Sequence, residues 1–139
     1  MINNIVLISH GPLCEAMKVS LEMVMGKQDN IHTVSLLPDG DNLQFETDLL
    51  NTMKNLSGNT LIFADLLGGT PCNVALKNYL SNDSILIITG MSLPIIMESI
   101  FTTSNDNSID VNSIINSGKN SIIDAKAQMK LLMEDSEEE

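Results

Sequence analysis

Four short aliphatic segments punctuate the chain: Asn4 to Ser9, Ile31 to Leu36, Thr60 to Ala64 and Ser84 to Thr89. Three of them are nearly continuous apolar runs, the pattern of strands covered on both faces. Ile31 to Leu36 alternates more, which suits a place nearer a sheet edge. Between the segments, apolar residues return about once per helical turn: Leu13, Met17, Leu21 and Val24 in the first interval, Leu49, Met53 and Leu56 in the second. The third interval opens with Thr70 in an N-cap position and Pro71 at the first helical position, predicting a helix to about Tyr79. Pro94 opens another over Ile95 to Phe101. Strand–helix alternation of this kind predicts an α/β fold, a doubly wound and mainly parallel four-stranded sheet with helices on both faces. Beyond it come a polar stretch, Thr102 to Ser108, a helical Val111 to Asn116 closed by Gly118, and a last short strand over Ser121 to Asp124.

At 139 residues the chain fits one domain with a sizeable core. Residues 1–133 are expected to form that domain. Residues 134–139, five acids in six positions, are expected to be a solvated, disordered tail. Seven lysines, no arginine and eighteen acids give a net charge of −11, which argues against anionic lipid as a partner and excludes nucleic acid. No aliphatic run approaches the roughly 20 residues needed to cross a bilayer, and no basic signal segment opens the chain. Cys14 and Cys72 are too few for a disulfide framework, so a cytoplasmic location is expected.

In open α/β sheets ligands sit beyond the carboxyl ends of the strands, near the point where strand order reverses. The first strand ends in Ser9-His10-Gly11-Pro12, the third in Asp65-Leu66-Leu67-Gly68-Gly69-Thr70 and the fourth in Thr89-Gly90-Met91-Ser92. A histidine and a carboxylate therefore share one sheet edge. An aspartate accepting the Nδ1 proton of an imidazole leaves Nε2 with a free lone pair, a nucleophile. The N–H groups of Gly11, Gly68, Gly69 and Thr70, with those of helices starting near Pro12 and Pro71, can surround an anion, and the Thr70 hydroxyl adds a donor. His10 and Asp65 are thus the candidate catalytic pair of a phosphoryl site. With no lysine in these loops, the charge falls to backbone dipoles, which suits a transiently held phosphoryl group.

Each residue has a plain structural alternative: His10 as a turn residue, Asp65 as a loop brace, Thr70 as a cap, the glycines as a tight turn. Their coincidence on one edge favours the functional reading. Nucleotide-binding glycine loops and zinc-ligand spacings do not occur, so no cofactor or resident metal is expected. Cys14 and Cys72 flank the site and leave a thiol enzyme open, with burial as small hydrophobes the simpler account. His32, within a strand, reads as structural, and the methionines Met17, Met23 and Met25 as core.

These residues resemble the IIA component of the mannose family of the bacterial phosphoenolpyruvate-dependent sugar phosphotransferase system. The likeness is carried by Ser9 to Gly11, Met23 to Gly26 with Asn30 and Ile31, Asp65 to Ala75, and Thr89 to Pro94, the Asp65 stretch being the most specific. The resemblance implies that His10 is phosphorylated on Nε2 by HPr and passes the group to a histidine of a IIB component, with Asp65 holding Nδ1. Membrane IIC and IID components are then indirect partners. It implies a homodimer, in which the Ser121 to Asp124 strand adds antiparallel to the partner's sheet, and with no second domain in the sequence a stand-alone IIA subunit is expected. Thr70 stands where serine is common in the family, Ser92 where asparagine is, and Leu67 where some members carry tryptophan. Two alternatives stay open: the phosphotransfer subunit of a dihydroxyacetone kinase system, with the same fold, and a regulatory binding module controlled by His10 phosphorylation.

Overall fold

The computed structural model describes residues 2–102 and 110–137. Four parallel strands, β1 (Asn4–His10), β2 (Ile31–Leu36), β3 (Thr60–Ala64) and β4 (Ile85–Ile88), pair in the order β2-β1-β3-β4. Helices α1 (Leu13–Met25), α2 (Asn42–Lys54), α3 (Thr70–Tyr79) and α4 (Leu93–Thr102) follow the strands in turn, and α5 (Val111–Asn120) and α6 (Ala125–Glu137) complete the chain. The sheet is all-parallel, with Ile5 opposite Leu61 and Ile8 opposite Ala64 across the central pair.

Alternate residues of a strand face opposite sides, and each side here has its own core. Ile5 and Leu7 of β1 join Leu61 and Phe63 of β3 against Cys14 and Leu21 of α1, Ile95 and Ile96 of α4, and Ile114 of α5. Val6 and Ile8 join Ile62 and Ala64 against Phe45, Leu49 and Met53 of α2 and Cys72, Val74 and Ala75 of α3. This is why β1 and β3 read as unbroken aliphatic runs. β2 lies at an edge as its alternation predicts, but β4 is an edge strand too, and Ile85 to Ile87 are only half-buried.

The last third of the chain departs from expectation. No strand forms over Ser121 to Asp124, and no antiparallel strand is seen among the described residues. Gly118 does not close α5 but lies within it, and the Ser121 hydroxyl donates to the Gly118 carbonyl to end the helix two residues later. Asp124 accepts the Ala127 N–H through its carboxylate and the Gln128 N–H through its carbonyl, which makes it the cap of α6. Both ends of the expected strand are thus occupied in helix termination. Residues 134–137 form the end of α6, exposed throughout. Thr102 ends α4, while the rest of the expected polar stretch lies outside the described residues.

Gly118 sets how closely α5 crosses α4. A Cβ there would come 2.8 Å from Cδ1 and 3.1 Å from Cβ of Ile95, whose branched side chain cannot swing clear. Overpacking outweighs the roughly 1 kcal/mol that leaving glycine returns to a helix, so Gly118→Leu is expected to lower the unfolding free energy by about 1–2 kcal/mol. Urea unfolding followed by circular dichroism measures this, and an unchanged midpoint would show that the crossing has room to spare.

Candidate active site

β1 steps to β2 on one side, and the chain then crosses back to place β3 on the other, so the order reverses between β1 and β3. Their carboxyl ends carry His10 and Asp65. The ladder runs on past β3, with the Asp65 N–H donating to the Ile8 carbonyl at 3.2 Å, and this fixes the aspartate beside the end of β1.

Asp65 binds His10 twice through one oxygen. Its Oδ2 accepts the His10 backbone N–H at 2.9 Å and lies 2.8 Å from the ring Nδ1. Its Oδ1 accepts the Leu66 N–H at 2.9 Å. Burial alone raises the carboxyl's pKa, but the hydrogen bonds from the His10 backbone and ring and from Leu66 together outweigh it and hold it below the ordinary value. Asp65 is therefore ionised at neutral pH. An ionised carboxylate only accepts, so Nδ1 carries the proton and Nε2 keeps its lone pair. The Asp65 side chain is 9% exposed and that of His10 45%, so the orienting group is sheltered while the ring reaches solvent.

The loop from β3 brings α3 to the other side of the ring. Gly68 turns the chain at φ +89°, its carbonyl accepting from Asn73 Nδ2 at 3.3 Å. Gly69 is the N-cap of α3, and its face lies so close to His10 that a Cβ would collide with Cε1 and come 2.9 Å from Nε2. The N-terminus of α3 therefore abuts the nucleophilic edge of the imidazole. The N–H groups of Gly69, Thr70 and Cys72 have no acceptor within the helix, since the first such bond runs from the Asn73 N–H to the Gly69 carbonyl. Thr70 is the first helical residue rather than the cap. Among the described residues its hydroxyl makes no hydrogen bond.

The α1 terminus contributes less than its sequence suggests. Gly11 turns at φ +61° with its N–H on the Leu36 carbonyl, and the Cys14 N–H is taken by the buried Ser9 hydroxyl. At the end of β4, Gly90 turns at φ +77° and the Met91 N–H binds the Ala64 carbonyl, which ties that loop to β3. Cys14 and Cys72 are both buried, which favours packing over thiol chemistry. His32 sits in β2, its pKa lowered by partial burial and by Lys18. Among the described residues no three groups are placed to hold a metal. Ser9 and Asn73 are the residues the sequence reading passes over. The available signal for Ser9 is a helix whose cap, Pro12, offers no side-chain acceptor.

An open α/β sheet with a carboxylate-held imidazole at its switch point, and a helix terminus against the free nitrogen, has the make-up of a phosphoryl-group carrier. The comparisons agree. Residues 4–115 match the family model described as "PTS system fructose IIA component", EIIA-man. The chain is 29% identical over 113 residues to the sorbose-specific EIIA component of Lacticaseibacillus casei, covering 80% of this chain and 79% of that one. It is 26% identical to the mannose-specific EIIAB component of Escherichia coli K12 over 76% of its length, but spans only 33% of that longer protein. The crystal structure of a IIA protein associated with the fucose utilization operon of Streptococcus pneumoniae superposes with a TM-score of 0.81 at 30% identity, over 93% of this chain and 99% of that one. The chain belongs to the mannose-type IIA family. It is a phosphotransfer component of the sugar phosphotransferase system, whose IIA members work in general with HPr and a IIB component. No helix among the described residues is long and apolar enough to cross a membrane.

Because Gly69 abuts the ring, Gly69→Ala is expected to turn His10 away from Asp65 while leaving the core intact. Nitrogen NMR of the imidazole would show loss of the Nδ1-protonated form, with little change in melting temperature. An unaltered ring spectrum would show that the loop, not the ring, gives way.

Proposed function

We propose that this protein carries a phosphoryl group on His10 Nε2, accepting it from HPr and delivering it to a histidine of a IIB component for sugar uptake, in the cytoplasm. The observation that supports this most directly is the 2.8 Å contact of His10 Nδ1 with Asp65 Oδ2 while Nε2 lies against the start of α3. In the forward step the Nε2 lone pair attacks phosphorus, the P–N bond of the donor breaks, and the bonding pair returns to the donor's imidazole. His10 becomes cationic as the new bond forms. The Asp65 carboxylate offsets that charge, and the unpartnered N–H groups at the start of α3, with Gly68 and the Thr70 hydroxyl, are the donors for the phosphoryl oxygens, while the Gly11 N–H stays on the Leu36 carbonyl. Delivery to IIB is the same displacement with roles exchanged. Resemblance to sorbose-, mannose- and fucose-associated relatives favours a sugar system over a dihydroxyacetone kinase. Incubation with enzyme I, HPr and radiolabelled phosphoenolpyruvate tests the proposal. Acid-labile, alkali-stable label is expected on the wild type, none on His10→Ala, and onward transfer to a cognate IIB protein. Label that persists in His10→Ala overturns the site, and label that never leaves favours a regulatory module. Asp65→Ala should fold and transfer about 10²- to 10³-fold more slowly, measured by rapid quench.

We further propose that the working unit is a homodimer joined beside β4. A groove of about 710 Å³ lies along that edge, lined by Leu76, Ile87, Ile88, Ile95 and Ile115. Ile122 is 88% exposed at its rim, and α6 has no buried residue although Met129, Leu132 and Met133 share one of its faces. A second copy that receives this segment would cover both the edge and the exposed side chains. Ile122→Pro should shift sedimentation from dimer towards monomer or aggregate, and an unchanged dimer would place the contact elsewhere.

A further inference from the structure

Ser9 immediately precedes the nucleophile, is fully buried, and has no role in the relay as set out above. Its hydroxyl has two backbone partners, accepting the Cys14 N–H at 2.9 Å and donating to the Gly11 carbonyl at 3.0 Å. The first partner lies in the opening turn of α1, whose cap Pro12 offers no side-chain bond. The second belongs to the residue just after His10. We propose that Ser9 is a positioning residue for His10, its hydroxyl locking the His10–Gly11 turn to the start of α1 so that the ring stays on Asp65 with Nε2 against α3. This rests on His10 being the phosphoryl acceptor.

The backbone around His10 is then held at every step. The His10 N–H goes to Asp65, the Gly11 N–H to the Leu36 carbonyl at 2.7 Å, and the Gly11 carbonyl to Ser9. The last of these is the bond that resists rotation of the Gly11 peptide, and Gly11, at φ +61°, is the residue most free to rotate. Behind the turn, Cys14 Sγ lies 3.2 Å from Ser35 Oγ, whose hydroxyl donates to Glu15, so the start of α1 is also fastened to the end of β2. With Ser9 in place, the ring inherits its aim from three elements. Without it, the Gly11 peptide keeps only its N–H bond to Leu36 and the ring only its contacts with Asp65 and Gly69, and a nucleophile that wanders off line loses rate rather than affinity.

The experiment compares Ser9→Ala and Ser9→Thr with Ser99→Ala, which removes another fully buried hydroxyl, bonded to the Ile96 carbonyl within α4. Ser9→Ala is expected to lower the maximal rate of phosphoryl transfer from phosphorylated HPr about tenfold, equivalent to about 1.4 kcal/mol, with KM changed less than twofold. Nitrogen NMR of the unphosphorylated protein should show a smaller Nδ1-protonated population at His10. Ser9→Thr should restore both readouts, and Ser99→Ala should move only the melting temperature. If Ser9→Ala does not fold, Ser9→Cys, with its weaker donor, carries the same comparison with a partial loss. Melting temperatures that fall alike in Ser9→Ala and Ser99→Ala, with wild-type rates and an unaltered His10 spectrum, would make Ser9 a helix cap and overturn the proposal. A wild type that takes no label would defeat the carrier reading, while the NMR arm still decides whether Ser9 aims the ring.

Discussion

The Asp65 carboxylate takes one N–H from the His10 backbone and faces Nδ1 of the same residue with the same oxygen. This double attachment means that the imidazole cannot leave Asp65 by a simple rotation of β1's end, because the backbone and ring are pinned at one point. It also requires the carboxylate to be ionised, which the surrounding donors secure against the opposing effect of burial. The approach of α3 depends on it in turn. The helix can crowd the far side of the ring only if the ring does not move, and only a glycine at position 69 allows that crowding.

In the proposed relay the lack of a lysine in the loops that end β1, β3 and β4 is consistent with the task. A chain of net charge −11 would take on a further dianionic group with no arginine anywhere in its sequence. Unpartnered peptide N–H groups at a helix start offer enough favourable field to admit the phosphoryl group, without the deep well that a charged clamp would create. A carrier must release what it accepts, so a shallow site helps both half-reactions.

Most of the sheet and the site edge is legible in the sequence because both follow from short-range pattern. Ile5 to Ile8 and Leu61 to Ala64 are buried on both faces, so they carry no polar alternation to mislead, and His10 and Asp65 stand where those runs stop. Three features are not legible. Ser121 and Asp124 are as compatible with strand ends as with a helix stop and a helix cap, and the choice went to capping; the strong helix formers from Ala125 to Met133 were the available signal. Thr70 yields the cap position to Gly69 because the close approach of His10, a contact between residues about sixty positions apart, decides the geometry there. Ser9 hides because a small polar residue inside a buried strand end looks like a tolerated exception until its two backbone partners are seen.

The two strands that carry the candidate pair are also the two in the middle of the sheet, with β2 and β4 shielding them at the flanks. Local opening of such a sheet begins at its edges and reaches the central ladder only when the whole domain gives way. The strand ends that carry the pair are therefore anchored in the central ladder, while the proposed dimer surface beside β4 lies at the margin of the sheet. Loss of activity on heating should then coincide with global unfolding rather than precede it. Fraying of β4 or of α6 would loosen the proposed dimer before it altered what His10 can do.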